Sequence, residues 1–315
     1  MKGGLQNSRS INSKRVLAIG PTGLDIRLNL SVLHSKVSSA TASFTLSSGG
    51  SCRNLAVNLA TLGLDVTLLT QDYGRSLENL GIRSNVDIRE KQIRTPEGSK
   101  GSLALFVAAV DEKDIVASLA RYEFARTLFN EDAANELLEF LRDFEVLIST
   151  SSVCHEFWES VKHSCQGTQQ LKCLMTGGLP LPEDYLGWLD RCDLLFINRN
   201  EAELLGFGPE DFCNEAVNRG TKAALVTLDR DSAVYYCEQG GTPKRKTGPS
   251  LGDGIVSVVG AGDVFAAGVI YGVMAAHDLS DAVDLGLLLA AKFVTQDNNV
   301  LNKTDDIEKI VPPLS

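Results

Sequence analysis

Short runs of β-branched and apolar residues recur along the chain, at 16–20 (VLAIG), 66–70 (VTLLT), 102–110 (SLALFVAAV), 145–150 (EVLIST), 171–175 (LKCLM), 193–197 (DLLFI) and 223–228 (AALVTL). Consecutive apolar positions over so few residues predict strands buried on both faces. Between most of them lie RNLAVNLATLG, DAANELLEFLRDF, LPEDYLGWLDRC and EDFCNEAVNRG, whose apolar residues fall three to four apart and predict amphipathic helices. Strand and helix in alternation predict an α/β fold with a mainly parallel central sheet covered on both faces. Such sheets bind ligands beyond the carboxyl ends of their strands.

Two stretches break this rhythm. Residues 25–47 and 86–120 alternate polar with apolar and carry few helix signals, so extra antiparallel strands are expected there, forming a small lid inserted into the larger domain. From Ala261 onward the pattern is almost wholly helical, through AGDVFAAGVIYGVMAAH and LSDAVDLGLLLAAKFVTQ. KRKTGPSLGDG at 244–254, rich in glycine and bases, reads as a loop. No internal repeat is visible. The expected organisation is a disordered leader over 1–14 and one domain over 15–315.

Composition narrows the function classes. A formal net charge of −10 argues against a general binder of nucleic-acid backbones. No run of about 18 or more apolar residues suggests a membrane span, and MKGGLQNSRSINSKR lacks the apolar block of a secretory signal, so a cytoplasmic protein is expected. The leader's four basic residues, with no acid before Asp25, leave a weak organelle-targeting role open. Seven scattered cysteines without a CxxC pair fit reduced thiols better than a disulfide frame. VCHEFWESVKHSC matches no zinc spacing and reads as an amphipathic helix with surface histidines.

The chemistry concentrates in two glycine motifs. In VVGAGDVFAAGV (258–269), Gly260, Ala261 and Gly262 at a helix start would leave backbone N–H groups open to an anion. Asp263 beside them stands where it can take a proton from an alcohol attacking a bound phosphate. The bland alternative is that Asp263 merely caps a buried helix. Far upstream, GGSCRNLAVNLATLG (49–63) offers Gly49 and Gly50 for close backbone approach and Asn54 for hydrogen bonds to vicinal hydroxyls.

This pair of motifs resembles the ribokinase-like carbohydrate kinase family, also called the phosphofructokinase B family, from about Val16 to the C-terminal helices. The resemblance implies a three-layer α/β/α fold with a small β lid, and ATP-dependent phosphoryl transfer. GPTGLDI (20–26) looks like the family's first strand and turn, where Asp25 would grip sugar hydroxyls. NRNE (198–201) is similar to its N-x-x-E element, with Asn198 and Glu201 organising magnesium and phosphate through water. Thr227 in VTL looks like the strand end that carries the nucleotide, and Asp229 just beyond it would lie near the nucleotide phosphates. GAGD matches the anion hole and catalytic base.

Within the family, GGxxRNxAxNLAxLG most resembles pseudouridine kinases and suggests a substrate role for Arg53. Implied cofactors are Mg2+ and ATP, with a monovalent cation as an optional addition. Implied partners are a nucleoside or sugar and ATP, with a homodimer through the lid. The expected reaction is phosphorylation of the 5'-hydroxyl of a ribosyl nucleoside. Alternatives are a kinase for ribose, adenosine or fructose phosphate, and a catalytically weak relative that binds nucleoside without turnover. The chain departs from the family at Ser257–Val258, where aspartate and threonine are usual, at Asp229, where glycine is usual, in the short TQDYGRSLENLGI, and at MTGGLP (175–180), which replaces an aspartate-proline element. A dinucleotide-binding dehydrogenase is disfavoured, because GPTGLD misses the G-x-G-x-x-G spacing.

Overall fold

The computed structural model describes residues 14–29, 43–72, 76–80, 88–93, 104–111, 114–121, 125, 128–164, 169–177, 181, 185–190, 192–228, 231–250, 254–296 and 300–302. Its main elements run β1 (Arg15–Ile19), β2 (Gly23–Asn29), β3 (Ser43–Gly49), α1 (Ser51–Thr61), β4 (Asp65–Gln71), β5 (Arg89–Ile93), β6 (Ala104–Asp111) and β7 (Asp114–Arg121). The chain continues through β8 (Val146–Thr150), α2 (His155–Ser164), β9 (Leu171–Met175), β10 (Leu194–Asn198), α3 (Arg199–Leu204), α4 (Pro209–Asn218), β11 (Ala223–Thr227), β12 (Ala233–Glu238), β13 (Lys244–Thr247), α5 (Ala261–Met274) and α6 (Leu279–Phe293).

The large sheet has nine strands in the order β13-β12-β11-β10-β9-β8-β1-β4-β5. All neighbours from β11 to β5 pair in parallel, and β12 and β13 add an antiparallel edge. Side-chain alternation along each strand divides its apolar residues between two cores. Val16 and Ala18 of β1 join α1, α5 and α6 on one face, while Leu17 and Ile19 join α2, α3 and α4 on the other. Burial on both sides explains the unbroken apolar runs in the sequence.

The small sheet has the order β3-β2-β6-β7. In β2 the alternation sends Asp25 and Arg27 to one face and Leu24, Ile26 and Leu28 to the other. Register puts Ser47 and Phe106 beside Asp25, and Ala108 beside Arg27. The opposite face leaves Phe44, Leu46 and Leu119 exposed.

Three sequence expectations change. Residues 89–93, expected with the lid strands, pair with β4 in the large sheet, because their charged side chains suit an exposed edge rather than a covered strand. Lys244–Thr247, read as the start of a loop, forms edge strand β13; its bases lie where a strand faces water. The helix expected across 181–192 is, among the described residues, a short 3-10 turn at Tyr185–Trp188. The expected leader lies outside the described residues except for Lys14, whose ammonium donates to the Met274 carbonyl.

Helix α5 is held against α6 by backbone contact. A Cβ on Gly268 would lie 2.7 Å from the Gly286 Cα, and one on Gly286 would lie 2.8 Å from the Phe265 carbonyl oxygen. Neither obstacle is a side chain that can swing away. Gly268→Ala is therefore expected to cost about 1–3 kcal/mol of stability, read as a lower midpoint in thermal or urea unfolding.

Candidate active site

The site forms where the first turns of α1 and α5 converge beyond the carboxyl ends of the parallel strands. The chain leaves β3 and enters α1 through Gly50, at φ 98°, where a Cβ would come within 2.6 Å of the Pro21 carbonyl oxygen. It enters α5 through Gly260, at φ 91°, a left-handed conformation that glycine adopts without strain. These two glycines bring the helix ends close enough for side chains to meet across them.

Asp263, in the first turn of α5, is 8% exposed and accepts a hydrogen bond from Asn54 Nδ2 at 3.0 Å. The Ser51 side chain, from the first turn of α1, also bonds to it. Burial pushes the Asp263 carboxyl up to about 7; the Asn54 and Ser51 hydrogen bonds work against this, and the charges of Asp25 and Glu201 add to it. A carboxyl held near neutrality can be a base that is free at cellular pH yet binds a proton well.

Around it, Gly262 is exposed, and a Cβ there would meet nothing within 4 Å. The tip of α5 is thus open rather than plugged. Ala261 N–H donates to the Val258 carbonyl at 3.1 Å, whereas among the described residues the N–H groups of Gly260, Gly262 and Asp263 have no acceptor. Of the three expected anion-hole amides, those of Gly260 and Gly262 are open, the Asp263 amide joins them, and that of Ala261 is already used within the turn.

Asp25 is 9% exposed and lies over Gly49, where any Cβ would overlap its carboxylate. A pocket lined by Asp25, Ile26, Arg27, Ser47, Phe106, Ala108 and Val259 opens between the small sheet and the strand-to-helix turn of Gly260. The Asn54 side-chain oxygen is buried and has no partner among the described residues. A buried acceptor in that state is costly unless a ligand donates to it.

The neighbouring strand ends carry the rest. Asn198 ends β10 beside Thr227, which ends β11. Asn198 Oδ1 accepts from Glu201 N–H at 2.9 Å, and Glu201 Oε2 accepts from Asn198 N–H at 3.0 Å, closing a capping box at the start of α3. Thr176 Oγ1 donates to the same Glu201 oxygen at 2.5 Å. The N-x-x-E spacing thus has a local structural use, and it leaves a buried carboxylate whose charge reaches Asp263.

Arg53 is buried rather than on the surface, and its guanidinium donates to the Ser48 carbonyl at 3.4 Å. Ser257 is buried, and its hydroxyl accepts from Val259 N–H at 3.3 Å. Asp229 lies outside the described residues. Among the described residues no cluster of three His, Cys, Asp or Glu side chains could hold a metal ion alone.

Family comparison matches residues 13–305 to the pfkB family of carbohydrate kinases. The chain belongs to that family. It is accordingly an ATP-dependent phosphotransferase with an alcohol group as acceptor. A curated relative, the guanosine-inosine kinase of Exiguobacterium acetylicum, is 24% identical over 302 residues, covering 91% of this chain and 96% of that protein. Among solved structures, Arabidopsis thaliana ribokinase complexed with ribose and ATP has a TM-score of 0.72 at 17% identity, over 95% of this chain and 98% of that one. Giardia lamblia ribokinase has a TM-score of 0.73 at 15% identity, over 95% and 99%. These likenesses establish the ribokinase-like α/β fold of this pfkB chain.

Sequence reasoning did not single out Ser51, Thr176 or Phe106. Ser51 had a signal, being a hydroxyl on the first helical turn of a motif already noted. Thr176 lay within MTGG, noted only as a departure. Phe106 had none, since its place beside Asp25 depends on strand register.

Proposed function

We propose that the protein phosphorylates the 5'-hydroxyl of a ribosyl nucleoside with ATP, with pseudouridine as the acceptor that the GGxxRNxAxNLAxLG wording favours. The observation that carries this reading is Asp263, buried, held near neutrality and bonded to Asn54, at the open tip of α5. In the proposed reaction the acceptor oxygen attacks the terminal phosphorus of ATP and its proton passes to Asp263. The bond from that phosphorus to the ADP oxygen breaks. The open amides of Gly260, Gly262 and Asp263 would hold the transferring group's oxygens, as positioning and charge stabilisation dominate this chemistry. Asp25, with the unpaired Asn54 oxygen, would hold the ribose hydroxyls.

Magnesium, when bound with ATP, neutralises phosphate charge; Glu201, with Asn198, is the carboxylate suited to hold it through water, in keeping with that ion's habit of keeping several waters. Asn198 and Thr227 would border the nucleotide. The small sheet would act as the lid, and the protein would work in the cytosol. The six described cysteines are free, as suits a reducing compartment, and no helix among the described residues is long and apolar enough to cross a membrane.

A nucleoside is favoured over a bare sugar because an aromatic ring, Phe106, and a guanidinium, Arg27, line the pocket beside Asp25. A flat base would stack on Phe106, with Arg27 donating to its ring carbonyls. The test is incubation with magnesium ATP and a panel of pseudouridine, guanosine, inosine, adenosine, ribose and fructose 6-phosphate, scored by product mass. Phosphorylation of ribose alone would overturn the nucleoside reading. Phe106→Ala is expected to raise the nucleoside KM about 10- to 100-fold, the range of a base-aromatic stack, and to leave any ribose KM within twofold.

The exposed Phe44, Leu46 and Leu119 share the outer face of the small sheet with the side chains of Ile26 and Val107. Such a face is one a second copy of the chain would cover in a homodimer. Leu119→Lys is expected to shift sedimentation from dimer to monomer. A wild-type protein that sediments as a monomer at tens of micromolar would remove this interface.

A further inference from the structure

Residues 20–22 carry the chain from β1 of the large sheet into β2 of the small one, and a single residue, Gly50, returns it from β3 to α1; the chain crosses between the sheets again between β5 and β6 and between β7 and β8. The first of these crossings is where β2, which carries Asp25, takes its direction from the large sheet. Thr22, Thr70 and Gln71 meet at this junction, and all three are fully buried. Gln71 Oε1 accepts from Thr22 N–H at 3.0 Å, and Gln71 Nε2 donates to the Thr22 carbonyl at 2.6 Å. The side-chain amide of a residue at the end of β4 thus pairs with both backbone groups of Thr22, as a neighbouring strand would.

Thr70 Oγ1 accepts from the same Thr22 N–H at 2.9 Å and lies 2.7 Å from Gln71 Oε1, orienting the amide. The Thr22 carbonyl also accepts from Ala104 N–H at 3.2 Å, so β6 is tied to the same point as β2. Main chain packs closely here too, since a Cβ on Gly23 would lie 2.9 Å from the Ala104 carbonyl oxygen. Asp25 follows Thr22 by three residues, and Phe106 follows Ala104 by two.

We propose that Gln71 is a positioning residue: by clamping Thr22 to the end of β4 it fixes the angle at which the small sheet presents Asp25 and Phe106 to the cleft. The catalytic consequence rests on the kinase reading above, while the clamp itself does not. Two consequences separate it from an ordinary buried hydrogen bond. Loosening should be confined to the small sheet, and the kinetic loss should fall on the acceptor, because the strand ends at Asn198 and Thr227 belong to the large sheet.

The test compares the wild type with Gln71→Met, which keeps length but removes both amide bonds to Thr22. Gln170→Met serves as the control. Gln170 is also buried, and its Nε2 donates to the carbonyls of Leu141 at 2.9 Å and Phe144 at 2.6 Å, away from the cleft. In hydrogen–deuterium exchange, Gln71→Met is expected to speed exchange at least about tenfold in peptides covering 23–29 and 104–111, and to leave 194–198 and 223–227 unchanged. In steady-state kinetics its acceptor KM should rise about tenfold, with the ATP KM and kcat within twofold. Gln170→Met should show neither effect.

An unchanged acceptor KM in Gln71→Met, or equal changes in both variants, would overturn the proposal. Should Gln71→Met fail to fold, Thr70→Val, which deletes one hydroxyl, reads the same quantities with a smaller rise of about threefold, and no rise overturns the proposal. If the wild type turns over no acceptor, the kinase reading fails, and the exchange measurement still decides whether the clamp exists.

Discussion

Asp263→Asn is expected to lower kcat by at least about 10³-fold while nucleoside and ATP still bind. General-base contributions span about 10²–10⁴, and asparagine keeps the shape of the side chain without the capacity to accept the proton. In the wild type, kcat/KM should rise with pH through about 7 and then level, following deprotonation of this carboxyl. Stability should move the other way. The folded protein holds the Asp263 proton more tightly than the unfolded chain, whose carboxyl titrates near the usual 3.8. Between those two values the folded state binds more protons, so the contribution of this group to stability falls as pH rises from about 4 to about 7 and stays low above that. The asparagine variant should therefore unfold at a higher temperature than the wild type at pH 8, with a smaller gap at pH 4. Stability that drops on substitution at pH 8, or turnover that persists, would remove Asp263 from the role of base.

Gly49→Ala is expected to raise the acceptor KM on the order of 100-fold with little change in unfolding midpoint. The added methyl would occupy the place of the Asp25 carboxylate. That carboxylate is the end of a flexible side chain, so the protein relieves the overlap by turning Asp25 away rather than by moving backbone. Losing one or two charge-assisted hydrogen bonds to the acceptor, at roughly 1.5–3 kcal/mol each, accounts for the size of the effect. Isothermal titration with nucleoside in the absence of ATP checks it, and unaltered affinity would show that Asp25 does not grip the acceptor. By contrast, Gly268→Ala meets backbone and should reduce stability first.

The two glycine motifs were legible because glycine before a helix has a local physical meaning. Their meeting was not: Asn54 and Asp263 are 209 residues apart, and only the topology of the sheet brings them within a hydrogen bond. The parallel core was legible because strands covered on both sides are apolar without interruption. Strands at sheet margins leave a weaker trace. Arg89–Ile93 and Lys244–Thr247 are mostly charged, so their patterns resemble linkers. The small sheet could be expected from alternation, but alternation fixes which residues share a face within one strand and leaves the alignment between strands open. Arg27 and Phe106 therefore lined the pocket unseen. Glu201 was found for its motif, and the same spacing turned out to serve helix capping as well.

The antiparallel hairpin of β12 and β13 settles a problem that any open sheet carries. Its outermost strand exposes a row of peptide groups that could recruit another chain. Here Lys244, Arg245 and Lys246 line that margin, and the Lys246 ammonium is tied to Ser280 and Asp284 of α6. A chain approaching to add a tenth strand at this edge would bring its own backbone against three cations. The hairpin thereby acts as a terminator at this edge of the sheet.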